Sequence, residues 1–331
     1  MKPRRLAPIL AACAAMSLAL SGCSGTGGST SSDGTGEQFL IGVGVIVSHP
    51  ALQAVQDGFT EVLDEDGLNY KLTVQNAQGD NANAATIASS FASNSDIDLI
   101  LAISTPIALA VANAEKDRPI LFSAVTDPVA VGLVPSWTQA GPNITGTSDL
   151  NPDAKPVTLV KEAMPDVKTI GVLYSSSEPN SLAQVKSYQT EADSIGVTLK
   201  PQAITAASEI SVGLESLSGV DAILIPTDNT VAASIATVIG YGQEHQIPVF
   251  CADTSTVSLG TVAARGLSYH DLGRRTGEMA VSILRDGVDV STIPPEATTS
   301  TELVVNPTAA ESYGLTLPAS LVSGAAQVEG S

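Results

Sequence analysis

From residue 39 onward, short unbroken apolar runs alternate with longer amphipathic ones, and the series is played through twice. Residues 39–47 have the length and β-branching of a buried strand. Leu52, Val55, Phe59, Val62 and Leu63 then recur at helical spacing. The same reasoning predicts strands at 70–75, 99–103 and 119–124, helices at 84–92 and 106–115, and a closing strand at 143–149. The pattern restarts with a strand at 169–174 and a helix marked by Leu182, Val185, Tyr188, Ala192 and Ile195. Strands follow at 197–203, 220–225 and 247–251, with a weaker helix to Leu217 and another over about 230–244. Leu272, Thr276, Met279, Ala280 and Ile283 mark a last long helix ended near Gly287, and 301–305 is a final strand. Strands apolar along their whole length are covered on both faces, which means parallel sheets flanked by helices. The expected fold is α/β, with two doubly wound parallel-sheet lobes, a hinge and a cleft between them.

The first residues set the expected location. Lys2, Arg4 and Arg5 precede an apolar stretch, 6–20, too short to span a bilayer comfortably. Small residues then lead to Leu20-Ser21-Gly22-Cys23, the form of a secretory signal peptide. The ending resembles a bacterial lipobox, which implies cleavage before Cys23 and acylation of its thiol. Residues 24–36 are almost purely Ser, Gly and Thr, the composition of a flexible tether. The expected organisation is a signal at 1–22 and a lipid-anchored linker at 23–38. One lobe takes 39–147 plus about 268–290, the other 148–267 plus about 291–318, and 319–331 is a tail. The chain carries 34 Asp and Glu against 15 Lys and Arg, and cleavage would remove three of the cations. So acidic a protein has no basic patch for nucleic acid and is repelled by anionic headgroups, leaving the lipid as its membrane contact. Cys13 and Cys23 lie in or at the leader, so Cys251 has no partner for a disulfide. Its apolar surroundings read as those of a buried small residue.

In open parallel sheets, ligands bind beyond the carboxyl ends of the strands. Four strand-end loops share a design: Ser104-Thr105-Pro106, Val125-Thr126-Asp127-Pro128, Ser175 to Ser181, and Pro226-Thr227-Asp228-Asn229. Each places a hydroxyl or carboxylate at a helix N-cap, and helix N-termini offer free N–H groups to an anion. Any one of these residues is as readily a plain cap. As a set on two lobes, they suit a small zwitterion, its carboxylate at the helix ends and its ammonium on Asp127, Glu178 or Asp228. Tyr174, at a strand end, could stack on a ring. A phosphate would call for Gly-rich loops and cations, and a sugar for more aromatic platforms.

These loops carry a family resemblance. His49-Pro-Ala-Leu52, Ser104-Thr-Pro106, Ala124-Val-Thr-Asp-Pro-Val129, Gly141-Pro-Asn-Ile-Thr-Gly146, Ser148-Asp-Leu150, Gly171-Val-Leu-Tyr174, Ser177-Glu178, Asn180-Ser181 and Pro226-Thr-Asp-Asn229 resemble the ABC-transporter substrate-binding family that includes tryptophan-type binders. Ser48 stands where members often carry an acidic residue. The resemblance implies a type I periplasmic-binding-protein fold with three crossings between lobes. It also implies contacts at Thr105, Thr126, Asp127, Asn180, Ser181, Asp228 and Asn229, with Ser104, Tyr174, Ser177 and Glu178 joining them on the strand-end argument. The expected protein is a monomeric solute-binding lipoprotein on the outer face of the cell membrane. It needs no cofactor and hands a small zwitterion, an amino acid, to an ABC permease and ATPase. The alternatives are a sensor feeding a receptor, or a binder of a sugar or nucleoside. An enzyme is not expected: His49, His245 and His270 follow no metal-ligand spacing, and no nucleophile elbow or phosphate loop occurs. Asp80-Asn-Ala-Asn83 resembles a calcium loop, but Phe91 stands where the bidentate Glu belongs, and the stretch reads as a helix start.

Overall fold

The computed structural model describes residues 38–298 and 300–330. The expected signal, Cys23 and nearly all of the tether lie outside them. The first lobe is built on β1 (Phe39–Val45), β2 (Tyr70–Asn76), β3 (Leu99–Ile103), β4 (Ile120–Ser123) and β5 (Ile144–Ser148). These alternate with α1 (Pro50–Glu65), α2 (Asn81–Ser93) and α3 (Thr105–Ala114). The strands pair in parallel in the order β5-β4-β3-β1-β2. Leu99 to Ile103 are fully buried, as their unbroken apolar run requires. Asp80 caps α2 by accepting from the backbone N–H of Ala82 and Asn83, so the calcium-like stretch starts a helix. At the other end of α2, the Arg118 guanidinium donates to the last-turn carbonyls of Phe91 (3.0 Å) and Ala92 (2.8 Å).

The second lobe runs α4 (Pro156–Ala163), β6 (Thr169–Ser175), α5 (Pro179–Ile195), β7 (Thr198–Ile204), α6 (Ile210–Ser216), β8 (Ala222–Ile225), α7 (Asn229–Ala232), α8 (Ile235–His245), β9 (Val249–Cys251) and β10 (Ala263–Gly266). Its parallel sheet has the order β7-β6-β8-β9. Then follow α9 (Tyr269–Leu284), β11 (Glu296–Ala297), β12 (Glu302–Val305), α10 (Pro307–Ser312), α11 (Ala319–Ser323) and β13 (Gln327–Val328). The chain crosses between the lobes after β5, after β10 and between β11 and β12. β11 pairs with β5 of the first sheet, whereas β12 pairs antiparallel with β10. Residues 319–331, expected as a tail, hold α11 and β13, and β13 pairs with β12.

Two local expectations are corrected. The helix anticipated over 230–244 is two helices, because Ala233 and Ser234 leave the α-helical path between α7 and α8. Leu182, expected on the buried face of its helix, is 48% exposed. α5 instead turns Asn180 and Ser181 inward at its start and buries only Tyr188 and Ala192 farther along. α4 was not legible at all. It has eight residues and follows Lys155, which sits in the left-handed region.

Each lobe has its own core. One joins Ile41, Phe59, Leu101 and Phe122 to Leu272 and Met279 of α9. The other joins Val172, Leu224 and Phe250 to Val305 and Tyr313. α9 therefore returns to the first lobe and crosses α1 in backbone contact. A Cβ on Gly58 would stand 2.1 Å from the His270 carbonyl oxygen, and one on Gly273 would stand 2.0 Å from that of Val55. Arg274 pairs with Glu61 (2.7 Å) and Glu65 (2.8 Å) along the same seam. These exposed pairs add little beside the packing. Cys251 is 1% exposed, and burial pushes its thiol up to about 12, so it is inert at neutral pH.

Candidate functional site

The strand ends of the two lobes meet around a small enclosed cavity. His49, Thr105, Ala124 and Thr126 reach it from beyond β1, β3 and β4. Asn180, Thr227, Asp228, Asn229 and Asp253 reach it from beyond β6, β8 and β9. Asp149 and Tyr269 enter from the first two crossings. A second cavity of about 260 Å³ adjoins it through Thr126, Asp149, Thr227 and Tyr269. Its walls include Leu150, Pro152, Ala154, Ala183, Tyr188 and Leu267, with Gln184, Glu191 and Arg265 as polar members.

The backbone at the site is strained. Ser104 and Ala124 follow adjacent strands at φ +93° and +55°, and the Ser104 N–H donates to the Ser123 carbonyl (2.9 Å). Two non-glycine residues in the left-handed region, side by side, are costly and cluster where function demands a fixed geometry.

Of the residues singled out from sequence, Thr105, Thr126, Asn180, Asp228 and Asn229 line the inner cavity. Asp127 lines the adjoining one. Ser104, Tyr174, Ser177, Glu178 and Ser181 belong to neither lining. The idea of four equivalent helix caps is corrected too. Residues after Asp127 form a turn, not a helix, and Asp127 accepts from the Ala130 N–H within it (2.9 Å). Ser104 makes no cap bond. Of the four loops, the one bearing Asp228 caps its helix with its own side chain, on the Val231 N–H (2.8 Å). Glu178, ahead of α5, reaches across to α7 and accepts from the N–H of Asn229 (3.1 Å) and Thr230 (2.9 Å), the Thr230 hydroxyl (2.8 Å) and the Asn180 amide (3.1 Å). The Ser181 hydroxyl donates to Asp228 (2.6 Å). Ser177 is exposed, and its hydroxyl donates to the Thr205 carbonyl (3.2 Å). Tyr174 packs on the second core.

Among the lining residues, sequence reasoning left the role of His49 open, named Thr227 only as part of its loop, and did not assign Asp149, Asp253 or Tyr269. Asp253 follows β9 as Asp228 follows β8, so the strand-end rule applied to 252–254 would have found it. Asp149 sits in the Ser148-Asp-Leu150 segment that carries the resemblance.

The lobes touch directly here. His49 Nε2 lies 3.2 Å from Asn229 Oδ1. The Asn229 amide nitrogen donates to Glu178, so its oxygen faces the ring and His49 Nε2 must be the donor. Asn81 Nδ2 also reaches the Ser177 carbonyl across the cleft (3.4 Å). Acids dominate the electrostatics. Burial, together with the Glu178 charge, pushes the Asp228 carboxyl up to about 7, against the hydrogen bonds it accepts from Ser181, Ser175 and Val231. Burial likewise raises Asp149 and Asp253, and the His49 ring opposes the shift at Asp253. A raised carboxyl holds, in the folded protein, a proton that the unfolded chain has released. That stability is complete below the ordinary value of 3.8 and lost as pH rises through about 7. The ligand-free protein is therefore expected to melt higher at pH 5.5 than at pH 8. Asp228→Asn should flatten this slope in calorimetric scans across the range. An identical slope would show that Asp228 titrates as it does in the unfolded chain.

The sequence as a whole matches the family model described as ABC transporter substrate binding protein over residues 40–329. The chain belongs to that family. It is 39% identical over 297 residues to a protein named "Tyrosine-binding protein" from Clostridioides difficile (strain R20291), covering 87% of this chain and 86% of the relative. Among solved structures it resembles an ABC domain in complex with L-Trp from Streptococcus pneumonia, with 37% identity, a TM-score of 0.84, and coverage of 88% of this chain and 99% of that one. It also resembles a ligand-free, open substrate binding protein with adhesive properties from Clostridium difficile, at 40% identity with the same coverages but a TM-score of 0.64. The TM-score is higher to the L-Trp complex than to the ligand-free, open structure. The fold is that of type I periplasmic binding proteins, and the family is one of substrate binders, not of enzymes.

Proposed function

We propose that this chain is the lipid-anchored, extracytoplasmic binding subunit of an ABC importer, and that it captures an aromatic amino acid in the interlobe cleft. The observation that carries the reading is the pair of joined cavities: a polar inner one enclosed by the strand ends of both lobes, and a more apolar one beside it. In this reading the α-amino and carboxylate groups go to the polar lining of the first and the ring to the second. Relatives named for tyrosine and bound to L-Trp support the aromatic class. The lipobox-like Leu20-Ser-Gly-Cys23 and the Ser/Gly stretch after it support the anchor. No described helix is long and apolar enough to cross a membrane.

In this reading the protein works as a monomer, with one lobe on 39–148 plus about 267–297 and the other on the remainder to 330. The open form exposes the cleft. A ligand that contacts both lobes stabilises the closed form, which docks on the permease. Thr105, Thr126, Asn180 and Asn229 contact the ligand, and Glu178, Ser181 and Asp228 hold the loops that present them. The test is a melting screen of the soluble form from Ser24 onward. L-Tyr, L-Trp and L-Phe are compared with aliphatic amino acids, a pentose and a nucleoside, followed by calorimetry. An aromatic ligand at a hundredfold excess over its Kd is expected to add about 2.7 kcal/mol. A response to the sugar or nucleoside with none to any amino acid would overturn the proposal.

A further inference from the structure

Helices in a parallel α/β lobe run against their strands, so one end of the sheet gathers helix N-termini and the other gathers C-termini. In the second lobe, α5 and α7 present their N-termini to the cleft. The C-termini converge on the opposite pole, at the amino ends of β8 and β9. A cavity of about 490 Å³ opens there, larger than either cavity of the cleft. Met164, Gln246 and Tyr313, which directly follow α4, α8 and α10, line it. Ser218 lines it just past the end of α6. Helix C-termini carry partial negative charge and favour a cation.

The side chains there agree in sign with the helix ends. The lining holds a carboxylate, Asp221, and three rings, Tyr241, His245 and Tyr313, but, among the described residues, no lysine or arginine. The Tyr241 and His245 rings lie 4.2 Å apart between centroids, tilted by 35°. Asp221 Oδ2 accepts the N–H of Lys168 and of Thr169, both at 2.8 Å, which fixes the carboxylate. Its Oδ1 takes no hydrogen bond among the described residues. The Tyr241 hydroxyl is buried without a partner, and burial, with the charges of Glu215 and Glu244, raises its proton affinity. An anion would be repelled from this pole. A neutral sugar would use the rings and gain nothing from the charge. A compact organic cation gains from the ring faces, from Asp221 and from the helix ends together.

We propose that this pole cavity is a second binding site, for a compact organic ammonium ion, separate from the cleft. The rings of Tyr241 and His245 flank the cation, and Asp221 Oδ1 supplies the counter-charge. Every lining residue belongs to the second lobe, so the site does not open and close with the cleft. It stands whatever the cleft captures.

The test is amide NMR on the soluble chain from Ser24 onward, titrated with two pairs that differ in charge: choline with 3,3-dimethyl-1-butanol, and putrescine with 1,4-butanediol. At least one amine should shift the amides of Asp221, Tyr241 and His245 saturably, and about tenfold more tightly than its neutral counterpart. Tyr241→Leu and Asp221→Asn are each expected to weaken that amine about fivefold or more. Asp221→Asn keeps an oxygen for the two N–H groups, so it removes the charge without releasing the turn. Tyr241→Phe keeps the ring and should lose less than Tyr241→Leu; if the leucine variant does not fold, the other two decide. Equal response to an amine and its neutral counterpart would overturn the site. So would amine shifts confined to the acidic cleft, at Thr126, Asn229 and Asp253, or folded variants that bind within about twofold of wild type. Co-flotation with phosphatidylcholine vesicles separates the two sources of a choline group: a lipid headgroup carries the protein with the vesicles, and a free ion does not.

Discussion

Gly273→Ala is expected to lower stability by about 2–3 kcal/mol or more, although alanine is the better helix former by about 1 kcal/mol. The steric effect wins because the obstacle is backbone. The new Cβ would stand 2.0 Å from the Val55 carbonyl oxygen on the facing helix, and no rotamer can relieve that. Nor can α9 roll away, because Gly58 meets the His270 carbonyl at 2.1 Å and Gly277 meets that of Phe59 at 2.9 Å along the same seam. The helices must separate, and with them the apolar faces that carry Leu272, Met279 and Ile283 into the first core. At about 2–4 °C per kcal/mol for a domain of this size, the melting temperature should fall by roughly 5–10 °C. Gly240→Ala is the matched control. Gly240 is exposed in α8, and nothing lies within 4 Å of the Cβ it lacks. Alanine there should stabilise by about 0.5–1 kcal/mol. A Gly273→Ala protein as stable as wild type would show that α1 and α9 do not cross in backbone contact.

That contrast marks what the sequence made legible in the fold. Fully apolar strands and the 3.6-residue spacing of α1 and α9 depend on which side chains are buried, and periodicity reports burial directly. The parallel sheets therefore followed almost from the letters of 39–47, 99–103 and 220–225. The glycines of the seam were silent, because a residue without a side chain adds nothing to a periodic pattern even where its absence sets the crossing. β10 was silent for another reason. Ala263-Ala-Arg-Gly266 has neither alternation nor bulk, and it is a strand because β12 pairs antiparallel with it after the third crossing. Leu182 shows the reverse error. Its helical spacing is real, but the start of α5 faces the cleft, where polar Asn180 and Ser181 take the inner positions.

Glu178→Ala is expected to cost about 3 kcal/mol in the ligand-free protein and to weaken the ligand at least tenfold. Sequence reasoning offered Glu178 as an ammonium acceptor because it follows β6 beside the cleft. Hydrogen bonding assigns it differently. It is 4% exposed, and both oxygens are engaged: one by Thr230 through its N–H and hydroxyl, the other by Asn229 and Asn180. Truncation leaves these buried donors unpaired at about 1–3 kcal/mol each, reduced by whatever water enters. It also frees Asn180 and Asn229, two of the groups that line the inner cavity. Glu178→Gln should cost nearly as much. An amide offers one accepting oxygen, and its nitrogen would then confront N–H donors on the other side. Asp149→Asn should behave in the opposite way, sparing stability, because it removes a buried carboxylate whose Oδ1 has no partner. Both residues are acids that follow strands at one cleft, and the strand-end rule, which locates loops, cannot tell them apart. Denaturation and calorimetry on the two variants separate them. A Glu178→Ala protein with wild-type stability and lost affinity would return Glu178 to the ligand and remove it from the frame of α7.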